Sequence, residues 1–326
     1  MKLTRRSLQT LVPALALGAA AGARAQPAWP TRPIQLIVPF AAGGGPDAIA
    51  RPLAERLAAL LGQPVTIVNR PGAAGNVGTA EVARAEPDGH SIVLASFATA
   101  VNRYLYRQMP FDGMTDLAPI THLTNAPLML VVGRDSPFRS VADLVAHARQ
   151  NPGRVSYGSA GAGSSIHLVT ELFRANAGVN LLHVPYRGSA PAVTDILGGR
   201  LDMIFNPVPP SLPQLAAGTL RGLAVTSGRR LSSAPDVPTM TEAGISGFPA
   251  DGWFALMAPA RTPQPILERI ATETRRALSE PATLPLLERV GNEVVLSDPA
   301  GLRRHIEAEM RRWEPIVRSN NIVLEG

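Results

Sequence analysis

Short apolar runs alternate with longer amphipathic ones along most of the chain. Residues 34–38 are continuously apolar apart from Gln35, residues 49–61 repeat apolar positions at helical spacing, and residues 65–68 return to a short run, which reads as β-α-β. Further strands are expected at 92–95, 128–132, 155–157, 181–184, 203–205, 223–226 and 254–257, with helices at 141–150, 166–177, 190–197 and 213–217. Apolar strands that alternate with helices predict an α/β fold of mostly parallel sheets covered on both faces. Beyond residue 260 the pattern changes to three helices in succession, 265–278, 281–290 and 299–318, each opening near a proline. Roughly ten strands with this much helix exceed one compact doubly wound sheet, so two lobes are expected. The Pro-, Gly- and Thr-rich stretch 235–249 is the expected return crossing between them.

The start of the chain stands outside this pattern. Residues 1–25 have a basic beginning, an apolar stretch at 8–21 and a small-residue end at Ala23-Arg24-Ala25, the layout of a secretory signal peptide. Arg5-Arg6 is also the twin arginine of the folded-export route, so Sec and twin-arginine export both stay open. A mature periplasmic protein is expected. The segment also changes the charge: Lys2, Arg5, Arg6 and Arg24 lie in it, and the remainder carries 27 basic against 25 acidic residues. Such a balance has no basic footprint for nucleic acid.

There is no cysteine, and Lys2 is the only lysine. The mature chain therefore has no thiol chemistry, disulfide, Schiff-base lysine or P-loop lysine. The six histidines, at 90, 122, 147, 167, 183 and 305, show no metal-binding spacing, and neither a metal nor a cofactor is expected. The charges around Trp313, from Glu307 to Glu314, read as the solvated face of the last helix.

Candidate chemistry concentrates where glycine-rich loops follow strands, the place where open α/β sheets bind ligands. The loop 39–47 carries Gly43, Gly44 and Gly45 and opens a helix with Pro46 and Asp47, so it reads either as an anion seat of free amides or as a tight turn capped by Asp47. The loop 158–167 ends in Ser164, Ser165 and His167 at a helix start. It lacks the dinucleotide fingerprint and the G-x-S-x-G elbow, but Ser164 or Ser165 with His167 leaves an exported serine hydrolase as the alternative function. The loop 69–78, spaced G-x-x-G-x-x-G, is a cleft wall or a structural turn. Thr99, Asn206 and Arg187 lie at similar strand ends, Arg187 as a carboxylate partner or a surface charge.

Taken in order, these segments resemble the tripartite tricarboxylate transporter receptor family, the Bug-type periplasmic solute-binding proteins. The resemblance rests on Arg32-Pro33-Ile34, Ile37-Val38-Pro39-Phe40, Gly43-Gly44-Gly45 with Asp47, and Asn69-Arg70-Pro71-Gly72-Ala73-Ala74-Gly75-Asn76. It continues through Pro87-Asp88-Gly89, Gly158-Ser159-Ala160-Gly161, His167-Leu168, His183-Val184-Pro185-Tyr186-Arg187-Gly188 and Pro238-Thr239. It implies a two-lobed, type II-like periplasmic binding protein, with residues 26–125 and 251–326 as one lobe, 126–250 as the other, and the ligand in the cleft. It further implies a monomer that holds a small carboxylate through amides and hydroxyls and presents it to membrane transporter subunits or to a sensor. Carried onto this chain, the ligand-binding residues are Phe40, Ala41, Gly43, Gly44 and Asp47 from the first lobe, with Thr99, and Ser159, Gly161, Ser164, Ser165, His167 and Asn206 from the second. Pro46 stands where the family often has Thr or Ser, which removes one hydroxyl and one N–H.

Overall fold

The computed structural model describes residues 29–42, 45–281, 283–289, 291–320 and 322–324. The expected signal segment, Gly43 and Gly44 lie outside the described residues. Two sheets form the frame. The first contains β1 (Ile34–Val38), β2 (Val65–Asn69), β3 (Ser91–Ser96), β4 (Leu117–Ala126), β10 (Gly252–Pro259) and β11 (Glu293–Val294), in the order β11-β4-β10-β3-β1-β2. The second contains β5 (Leu128–Gly133), β6 (Ser156–Ser159), β7 (Leu182–Pro185), β8 (Met203–Pro207) and β9 (Leu220–Val225), in the order β7-β6-β8-β5-β9.

Both sheets are mixed, where the sequence pattern predicts mostly parallel ones. β1 pairs in parallel with β2 and β3, and β6 with β7 and β8. β10, however, runs antiparallel between β3 and β4, and β5 antiparallel between β8 and β9. The cause lies in the crossings. β4 passes into β5 through Ala126–Leu128 with no helix to reverse its direction, and apolar patterning carries no information about strand direction.

The two crossings are tied together. Thr226 Oγ1 accepts from the Leu128 amide at 2.9 Å and donates to Asp251 Oδ1 at 2.5 Å, while the Thr226 amide donates to Leu128 O at 2.9 Å. Residues 235–249 are not themselves the crossing. They run along the second sheet, where Thr239 bridges Val225 and Val237, Met240 and Ile245 are buried, and the return falls at 250–252.

Helices cover the sheets by their apolar stripes. In α1 (Gly45–Leu61), Ile49, Leu53 and Leu57 recur every four residues and are buried in one cluster with Ile270 and Leu278 of α8 (Gln264–Leu278). The remaining helices are α2 (Asn76–Ala83), α3 (Ala98–Leu105), α4 (Val141–Gln150), α5 (Ser165–Ala177), α6 (Ser189–Leu197), α7 (Val208–Ala216), α9 (Leu284–Arg289) and α10 (Pro299–Ser319). α10 packs against α3 and β4 and also against α5, so it spans the two lobes. Its acid Glu309 is buried, accepting from Trp313 Nε1 and Arg312 at 3.0 Å each, and so belongs to the packed side of the helix instead of the solvated face. No helix among the described residues is long and apolar enough to cross a membrane.

Candidate functional site

A cavity of about 580 Å³ opens between the two sheets beside the crossings. The first lobe contributes Phe40, Pro46, Ala74, Ser96, Phe97, Ala98 and Asn102. The crossing strands contribute Pro127, Leu128, Trp253 and Phe254, and the second lobe Gly163, Ser164, Ser165, Pro207, Pro209 and Pro210. Asn292, before β11, closes one end. No charged side chain lines it among the described residues.

The helices α1, α3, α5 and α7 all begin at this cavity, which places their positive ends around one space. Strand ends deliver them. β1 leads through Phe40 into α1, β3 into α3, β6 into α5 and β8 directly into α7. The third glycine-rich loop contributes a wall through Ala74, which together with Ala73 sits at positive φ, 52° and 44°.

The loop after β6 is the most elaborately held. Gly161 and Gly163 adopt φ of 113° and 74°, which favour glycine. Ser164 caps α5: its Oγ accepts from the His167 amide at 3.3 Å and donates to Gly161 O at 2.7 Å. Beneath it, Tyr157, His183 and His167 stack, with His167 and His183 centroids 4.1 Å apart and 9° from parallel. Ser159 Oγ bonds His183 Nε2 at 2.7 Å and accepts from the Gly161 amide at 3.2 Å. His167 Nδ1 accepts from the Gly163 amide at 3.0 Å, so its proton is on Nε2, 3.9 Å from Glu171 Oε1. Glu171 is buried and receives the Tyr157 hydroxyl at 2.5 Å and two hydrogen bonds from Arg174 Nη1, at 2.7 and 2.8 Å. Burial, and then the neighbouring His183, hold His167 down to about 4, and burial lowers His183 as well.

This geometry sorts the residues singled out from sequence. Phe40, Ser164 and Ser165 line the cavity. Ser159, Gly161 and His167 lie behind it as the frame of the α5 loop. Asp47 is buried within the first lobe, where Oδ2 accepts from Arg51 at 2.8 Å and Oδ1 from Asn69 Nδ2 at 3.1 Å, while Asn69 also donates to Phe40 O. Its neighbour Pro46 faces the cavity instead. Ala41 is exposed, Thr99 is buried in the first turn of α3, and Asn206 is buried with Nδ2 on Ser211 Oγ at 2.9 Å. Arg187 is exposed, the surface-charge reading.

Sequence reading missed Phe97, Asn102, Trp253, Phe254 and the prolines of α7 as walls. Asn102 Nδ2 donates to Asn76 Oδ1 at 2.7 Å, a buried pair between two helices that carry weak apolar signals. The prolines gave a usable signal, since three of them surround the end of β8.

The serine-histidine couple does not form. The Ser164 hydroxyl is committed to Gly161 O and the His167 backbone amide, and the His167 Nδ1 to Gly163. No cluster of three or more His, Cys, Asp or Glu able to hold a metal occurs among the described residues.

Two α/β lobes joined by crossing strands, with helix starts converging on the space between them, define a two-lobed solute-binding protein. The chain belongs to the tripartite tricarboxylate transporter receptor family, whose model matches residues 49–322. Protein BugT of Bordetella pertussis is 37% identical over 299 residues, covering 91% of this chain and 92% of that one. Among solved structures, "R. palustris Rpa4515 with adipate" superposes with a TM-score of 0.80 at 38% identity, covering 91% of this chain and 100% of that chain. "Structure of periplasmic binding protein BugD" gives a TM-score of 0.77 at 32% identity, covering 91% and 100%.

Proposed function

We propose that this protein is a periplasmic receptor that captures a small carboxylate between its lobes, catalyses nothing, and delivers the ligand to the membrane subunits of a tripartite transporter. The observation that carries the reading is the start of α5. There the Ser165 hydroxyl and the amides of Ser165 and Ile166 have no partner within the described protein, and Ser165 faces a cavity without charged side chains. Unspent N–H groups at the positive end of a helix, sheltered from water, suit a carboxylate. The adipate found in the relative from R. palustris supports the same class, and the periplasmic relative supports the compartment expected from residues 1–25.

Lobes of 26–125 with 251–326, and 126–250, agree with the strand membership of the two sheets. Phe40, Ser164 and Ser165 touch the ligand in this reading; Ser159, Gly161 and His167 shape the loop that does so, and Asp47 anchors the start of α1. Asn206, Thr99 and Ala41, expected at the ligand, are not among the residues that line the cavity.

The test is thermal unfolding of protein refolded to strip carried ligand, against mono- and dicarboxylates and their neutral amides. At 100 times its dissociation constant a ligand adds about 2.7 kcal/mol, which at roughly 2–4 °C per kcal/mol is easily resolved in a protein of this size. Shifts with acids and not with amides support the reading. Equal shifts with both, or none with any acid, reject it. Labelling of Ser164 or Ser165 by a serine-directed phosphonate would instead favour a hydrolase.

A further inference from the structure

The four helix starts that meet at the cavity are unequal as anion seats. In α7 the N-cap and the second and third helical residues are Pro207, Pro209 and Pro210, so of the four amides a helix start normally leaves unpaired only Val208 keeps an N–H. α1 has Pro46 as its second residue, facing the cavity, so that position has no N–H to offer. α3 has already given its first amides away, Phe97 N to Trp253 O at 3.1 Å and Ala98 N to Ser96 Oγ at 3.3 Å. Among the described residues, α5 retains two consecutive unspent amides together with a hydroxyl, at Ser165 and Ile166.

Most of the rest of the wall is apolar and shaped by rings; of its polar residues, Ser96 Oγ is taken by the Ala98 amide and Asn102 Nδ2 by Asn76, which leaves the Asn292 side-chain amide at one end. Phe40 stands edge-on to Phe254, with centroids 6.3 Å apart at 83°, and Trp253, Phe97, Leu128 and Pro127 continue the surface. A second carboxylate placed there would lose its water against proline and phenyl surface, and no charged side chain lines the cavity among the described residues to compensate it. A flat or ring-shaped apolar body would fill the same space by offset or edge contacts with the phenyl groups.

We infer that the cavity selects a monocarboxylate with a bulky, ring-bearing apolar body: the carboxylate sits at the start of α5 and the ring lies among Phe40, Phe254 and Pro207. The inference rests on the carboxylate-receptor reading and narrows it. It assigns Pro46 and the α7 prolines a role in specificity, as surfaces that exclude a second charge.

Calorimetric titration of the purified, refolded protein with benzoate, cyclohexanecarboxylate, adipate and malate tests it. Expected is binding of the ring acids at least about tenfold tighter than of either dicarboxylate. Pro46→Thr, which restores a hydroxyl and an amide, should narrow that ratio by about threefold or more. The Pro46→Thr protein is checked for its native circular dichroism, and Pro209→Ser makes the same test on α7 if it is not folded. Adipate or malate binding as tightly as the ring acids, or a ratio unmoved in the folded proline variant, overturns the inference and leaves a carboxylate receptor standing. Failure of all four acids to bind overturns the receptor reading itself.

Discussion

The two lobes meet the same cavity by different physics. The first presents Phe40, Pro46 and Phe97, while its polar residues are engaged within the lobe, Asp47 with Arg51 and Asn69, Asn102 with Asn76, and Ser96 with the Ala98 amide. The second presents Ser164 and Ser165, backed by a buried stack of Tyr157, His183 and His167 on Glu171. One side supplies shape and the other polarity. A receptor built this way needs its polar loop held rigidly, because a displaced donor loses its hydrogen bond, whereas an apolar wall tolerates small shifts.

The sharpest way to break the second-lobe frame is Glu171→Ala. It leaves the buried Tyr157 hydroxyl without its acceptor and Arg174 without its ion pair, and should cost about 3–5 kcal/mol in urea unfolding. Asp47→Ala in the first lobe removes a charge whose partner Arg51 is exposed, and should cost only about 1–2 kcal/mol in the same assay. Equal losses would erase the contrast.

Acid distinguishes the lobes less directly. The first lobe stacks His122 on His305 with centroids 4.3 Å apart, the second His167 on His183. Burial holds His122 down to about 3 and His305 and His167 to about 4. Unfolded, each takes a proton near 6.5, so their stabilisation is present above pH 6.5 and is lost as pH falls from there to the folded values, on the order of 3–5 kcal/mol per histidine as an upper bound. Asp251 at the crossing works oppositely. Burial raises it to about 7, so its contribution is present below its unfolded value near 3.8 and lost as pH rises through 7. Stability should therefore fall between pH 6.5 and 4, and His167→Gln should flatten only the second-lobe share of that fall in a pH series of melts.

The smallest expected effects lie at the start of α5. Ser164→Ala removes the cap and should cost about 1 kcal/mol in unfolding. Ser165→Ala should leave the melting temperature within about 1 °C while weakening carboxylate binding about tenfold by titration. A Ser165→Ala protein that binds normally would move the polar seat elsewhere in the cleft.

Much of the frame is legible along the chain. β1, α1, α4 and α5 fall within a few residues of their expected positions, because their apolar residues recur at the period of the element and their ends carry proline, serine or glycine. β4 escaped because Thr121, His122 and Thr124 interrupt it, and two of them rely on a partner far along the chain: Thr121 Oγ1 donates to Ser297 O at 2.8 Å, and the His122 amide to Ser297 Oγ at 3.1 Å. α2 and α3 escaped for the same reason, through the Asn76–Asn102 pair. Of the site, the glycine-rich loops were visible, but which of their residues face the cavity was not. Pro46 and Asp47 are neighbours, and α1 turns one outward and the other in.

The amino-acid sequence by itself determined the α/β class, the exclusion of thiol and lysine chemistry, the glycine-rich loops that follow the strands and the family, since each depends on residue type and local period. Only the tertiary structure decided the mixed pairing of the sheets, the place of the crossings, the role of His167 as a frame for the loop, and the ring-lined wall. These depend on contacts between residues far apart in the chain, such as Phe40 with Phe254 and Ser159 with His183, and no local pattern encodes which distant surface a side chain will meet.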